Sequence, residues 1–82
     1  MTDQILMWHS EKFPNADRWD VYRKLLEEVG ELSEAMVREK DENIILEFGD
    51  VMICLTVLAF KLNINIEEAT TAAHLKNLMK SN

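Results

Sequence analysis

Ile44-Ile45-Leu46-Glu47-Phe48-Gly49-Asp50-Val51-Met52-Ile53-Cys54-Leu55 is the stretch that decides the fold. A helix built from it has no evident solvent face, yet it carries two acids, Glu47 and Asp50. An unpaired carboxylate in such surroundings is costly or takes up a proton, so the placement asks for a compensating cation. A second acid group stands upstream in Glu27-Glu28-Val29-Gly30-Glu31. Together the two groups point to a metal site.

The flanking sequence is helical throughout. Residues 3–12 read as a short helix through Ile5, Leu6 and Trp8, ending near Phe13-Pro14 because a residue before proline is pushed out of the helical region. Asn15 is the expected N-cap of a second helix, with Asp17 in its first turn where the dipole favours an acid. Trp19, Tyr22, Leu25, Leu26, Val29, Leu32 and Met36 recur at spacings of three and four, so this helix should run to about Lys40 with Trp19 and Tyr22 in the core. Gly30 is costly in mid-helix and suggests either close approach of a backbone or ligand, or an incidental glycine. After the charged break Glu39-Lys40-Asp41-Glu42, the apolar helix is expected over 43–62, capped by Asp41 or Asn43. Asn65-Ile66-Glu67-Glu68 reads as a capping box opening the last helix, which carries Ala69, Ala72, Ala73, Leu75, Leu78 and Met79.

The bulk numbers bound the function. Eighty-two residues make a single domain, 1–82, near the size at which one core is barely sufficient and association completes the burial. Hydrophobic content of 48% with two Gly and one Pro excludes disorder and loop-rich scaffolds. The formal charge of −6 disfavours a nucleic-acid partner, and Glu27, Glu28, Glu31, Glu47 and Asp50 supply most of that excess. The one cysteine, Cys54, reads as a small core residue. With no secretory signal in view, and an uncharged apolar run, 51–60, short of the roughly 20 residues a spanning helix needs, no membrane partner and a cytoplasmic location are expected.

If the second and third helices form an antiparallel hairpin, residues at one level have position numbers with a constant sum. Glu28 with Asp50 and Glu31 with Glu47 share that sum. Four converging carboxylates repel strongly without cations, and an all-oxygen set suits Mg²⁺ first and Mn²⁺ second. His9 and His74 do not stand three residues after a Glu, so the Glu-x-x-His element of di-iron bundles is absent.

On these residues the chain resembles the MazG-like, all-α nucleoside triphosphate pyrophosphohydrolases. Their pattern, Glu-Glu-x-x-Glu followed after a dozen or more residues by Glu-x-x-Asp, is met by Glu27, Glu28, Glu31, Glu47 and Asp50 with fifteen residues between the halves. The resemblance implies a four-helix bundle whose two long antiparallel helices carry the acids, completed as a homodimer or homotetramer. It implies Mg²⁺-dependent hydrolysis of a nucleoside triphosphate to monophosphate and pyrophosphate in nucleotide-pool control. Glu28, Glu31, Glu47 and Asp50 would then be the metal ligands, and Glu27 or Glu28 would take the proton of the attacking water. Trp8 is a candidate for base stacking, and Lys24 and Lys76 are candidates for phosphate contacts. The competing readings are a phosphoribosyl-ATP pyrophosphohydrolase, for which no clear basic set is seen, and a non-catalytic helical oligomerisation or nucleotide-binding module.

Overall fold

Asp17, not Asn15, starts the second helix, and the reason is local chemistry. Asp17 Oδ1 accepts from the Trp19 and Asp20 amides, both at 2.9 Å, while Asp20 Oδ2 accepts from the Asp17 amide at 3.0 Å. This reciprocal capping box needs an acid three residues beyond the cap, and Asn15 has Arg18 there. In the computed structural model, which describes residues 1–80, the elements are α1 (Thr2–Lys12), α2 (Arg18–Arg38), α3 (Asp41–Lys61) and α4 (Ile66–Lys80). The chain is all-α as expected, with no strand among the described residues.

Two residues join the long helices. Glu39 closes α2 in the left-handed region (φ 55°), and Lys40 leads into α3 without a side-chain cap. Neither Asp41 nor Asn43 is the cap expected there; Asp41 and Glu42 lie in the first turn, where the helix dipole favours them. Leu62 caps α3, and Asn63 after it is also left-handed (φ 57°). The Asn65 cap holds, its Oδ1 accepting from the Glu68 amide at 2.9 Å.

Packing is dominated by the α2–α3 hairpin, with α1 laid against α3. α2 turns out to have two apolar stripes. Val21, Leu25, Glu28, Leu32 and Ala35 recur at alternating spacings of four and three and face inward, with Val21, Glu28 and Ala35 buried. Trp19, Tyr22, Leu26, Val29 and Met36 form the second stripe and are exposed, which corrects the core expectation for Trp19 and Tyr22. Their rings stack edge-to-face on each other instead, 6.2 Å apart. The inward face of α3 carries Glu47, Cys54 and Val57, while Ile45, Phe48, Met52 and Leu55 are exposed.

The fold is open. Its radius of gyration is 14.9 Å, against about 12 Å for a closed domain of this length. α4 packs extensively on none of the other helices, and its apolar residues are exposed. Neither Gly30 nor Gly49 has anything within 4 Å of where a Cβ would stand, so no close approach explains Gly30 within the chain. By length and composition α3 is also apolar enough to cross a membrane. Such a helix equally serves as a core element, and here two acids on it meet a third from α2.

Candidate metal centre and adjoining cavity

Glu28 enters the hairpin interface because it belongs to the inward stripe of α2. It is 7% exposed. From α3, Glu47 and Asp50 sit one turn apart on the facing side, and carboxylate oxygens of all three lie within 4.8 Å of one another. The hairpin thus brings Glu28 to both acids of α3. Glu31 does not complete the group. Three residues advance a helix by 300°, leaving Glu31 turned about 60° from Glu28, and the inward place one turn on goes to Leu32. Glu31 is exposed, yet close enough for its charge to raise the Glu28 pKa.

Compensation inside the cluster is incomplete. Lys24 Nζ lies 3.3 Å from Glu28 Oε1 and 3.6 Å from Glu27 Oε1. Among the described residues neither Glu47 nor Asp50 has an ion-pair partner, and Glu28 Oε2 and Glu47 Oε2 are buried with no hydrogen bond. Burial pushes the Glu28 carboxyl above the usual range, with Glu31 and Asp50 adding to the rise and Lys24 opposing it. The Lys24 ammonium is held charged chiefly by its hydrogen bond to Glu28. Two orphaned oxygens in a three-carboxylate group are what a hard divalent cation satisfies, so the donors fit Mg²⁺ or Mn²⁺.

Glu28 and Asp50 also form one end of a cavity of about 490 Å³ between α1, α2 and α3. The other end is aromatic: Trp8 and Phe13 meet edge-to-face at 6.3 Å, and His9 lies 5.2 Å from Phe13. Cys54 and Val57 line the apolar part between them. Burial raises the Cys54 pKa, with the nearby Glu28 charge adding to it, so this thiol is a packing group, as expected from the sequence. Trp8 and Lys24, the candidates for base stacking and for a phosphate contact, both line this cavity. Glu27 points to solvent beside Lys24, and Lys76 lies on α4, away from the cavity. Lys12 and His9 line the aromatic end but had not been singled out; the four-residue step from Trp8 to Lys12, one helical turn, was the available signal.

The site is thus an all-α hairpin with three carboxylates that could hold a cation, beside a cavity lined in part by aromatic rings. The sequence model of the MazG nucleotide pyrophosphohydrolase domain matches residues 20–80. The chain belongs to that family. Comparison with curated proteins and with solved structures gave no match. The matched region contains the whole acid cluster but none of α1, so the aromatic end of the cavity is built by residues outside it.

Proposed function

We propose that the protein hydrolyses a nucleoside triphosphate between its α and β phosphates, giving monophosphate and pyrophosphate, with a role in nucleotide-pool control. One observation supports this reading: the orphaned oxygens of Glu28 and Glu47 lie in an acid cluster of which Glu28 and Asp50 line a cavity that Trp8 and Phe13 also line. Mg²⁺ bound there would neutralise charge developing on the triphosphate and lower the pKa of a water for attack. Glu28, Glu47 and Asp50 would hold the ion, and the exposed Glu31 would join them if its side chain turned inward. Lys24 exchanges its carboxylate partners for phosphate oxygens, and Glu27, released from Lys24, orients the water. The proton of that water would pass to Glu27 or Glu28. A panel of ribo- and deoxyribonucleoside triphosphates assayed for pyrophosphate release tests the proposal. Release of orthophosphate from every member would overturn it.

Trp8, half-exposed and lining the cavity, would stack on the base. Base–aromatic stacking contributes ~1–3 kcal/mol. Trp8→Ala is therefore expected to raise KM about tenfold or more while leaving kcat within a few-fold, as steady-state kinetics would show. A fall in kcat at unchanged KM would place Trp8 elsewhere.

The exposed second stripe of α2 and the outer face of α3 support association into a homodimer or homotetramer. Light scattering at micromolar concentration is expected to give the mass of at least two chains, and Leu26→Glu, in the middle of the stripe, is expected to lower it. A monomeric wild-type protein would contradict this.

A further inference from the structure

The aromatic end of the cavity is selective in its polar chemistry. Lys12 stands in the last turn of α1 with Nζ 5.2 Å from the Trp8 ring centroid and 5.8 Å from that of Phe13. It forms no ion pair among the described residues. The other charged groups lining the cavity are committed or remote from the rings. Lys24 is held by Glu27 and Glu28, and Glu28 and Asp50 belong to the acid cluster. Asp20 accepts from the Asp17 amide on Oδ2 and from Arg23 on Oδ1. His9 has its pKa lowered by burial and by Lys61, and a neutral imidazole offers one donor and one acceptor. The one uncommitted charge against the aromatic wall is thus an ammonium, with three donors and no acceptor.

A group of that kind discriminates between bases. Uracil, thymine and guanine carry an oxo acceptor where cytosine and adenine carry an amino donor, and lysine pairs with guanine O6 and N7 in base readout for this reason. We propose that Lys12 contacts the base and selects nucleotides with a 4-oxo pyrimidine or 6-oxo purine over those with the amino group. The inference rests on the nucleotide reading of the cavity. On binding, the ammonium leaves the ring faces for the oxo oxygen, and the base takes its place against Trp8.

The test compares kcat/KM of the full chain for UTP, GTP, CTP and ATP with Mg²⁺. UTP and GTP are expected to exceed CTP and ATP by about tenfold or more. Lys12→Met keeps an apolar stem against Trp8 and should bring the ratio close to one through loss on UTP and GTP; Lys12→Arg should retain it. Circular dichroism checks that α1 is kept in both variants. A preference for CTP or ATP, an unchanged ratio in Lys12→Met, or an equal loss on all four substrates would overturn the assignment, the last marking a phosphate contact. If no triphosphate is turned over, the hydrolytic reading fails separately. Equilibrium binding of UMP, GMP, CMP and AMP, followed by tryptophan fluorescence, then decides the base preference: tighter UMP and GMP binding that Lys12→Met equalises supports it, and equal binding by wild type rejects it.

Discussion

Glu47→Gln is expected to lower triphosphate hydrolysis by at least ~10²–10³-fold while leaving the helical fold intact. The amide has nearly the same shape, so the hairpin keeps its packing. What is lost is the second of the two buried, unpartnered carboxylate oxygens on which the proposed ion depends. In the metal-free protein the substitution removes a charge from a group of three within 4.8 Å and gives Glu28 Oε2 a neighbouring donor. Its thermal stability without metal should therefore equal or exceed that of the wild type. Asp50→Asn is expected to behave alike. Steady-state rates with circular dichroism check both; two variants that keep wild-type rates would remove these acids from the chemistry.

Divalent metal should have the next largest effect, and its sign depends on pH. The Glu28 carboxyl is raised above its ordinary value of 4.5, first by burial and then by the charges of Glu31 and Asp50. The folded metal-free chain consequently binds more protons than the unfolded chain in the interval above that value. That contribution to stability is full below about pH 4.5 and is lost as pH rises through the folded-state pKa. Mg²⁺ acts oppositely, since it competes with protons for the same oxygens and binds best when they are ionised. At a hundred times its Kd, a ligand specific to the folded state adds ~2.7 kcal/mol, on the order of 10 °C in Tm for a domain this small. Thermal denaturation with EDTA and with Mg²⁺ at pH 5 and pH 8 is expected to show a large metal response at pH 8 and a small one at pH 5. Glu47→Gln should lose most of the pH 8 response. Equal curves with and without Mg²⁺ at pH 8 would argue against a cation site.

The parts of this molecule that local chemistry governs were legible. Asn65 three residues before Glu68 announces a cap, and the cap is there. Two acids in an apolar helix announce buried charge, and this holds for one of them: Glu47 has a buried, orphaned oxygen, as does Glu28 on α2, whereas Asp50 is exposed. Asn15 was misread because a good cap residue was judged without its reciprocal partner, which only Asp17 has, in Asp20. Trp19 and Tyr22 were misplaced for a different reason. α2 carries two apolar stripes, and periodicity reports both without saying which one α3 covers. Glu31 illustrates the limit of the level argument, which fixes height along the hairpin but not the angle around the helix. Lys12 is legible only in part: its place one helical turn after Trp8 can be read from the spacing, but its approach to Phe13 depends on how the turn after α1 folds those rings together.

The central claim is that Glu28, Glu47 and Asp50 hold a divalent cation that serves cleavage between the α and β phosphates. Phosphorus NMR of a preferred triphosphate, followed with the wild-type protein and Mg²⁺, tests it most directly. The account predicts that the triphosphate resonances give way to those of monophosphate and pyrophosphate in equal amounts, and that EDTA stops the conversion. Appearance of diphosphate and orthophosphate, or conversion that persists in EDTA, would contradict it.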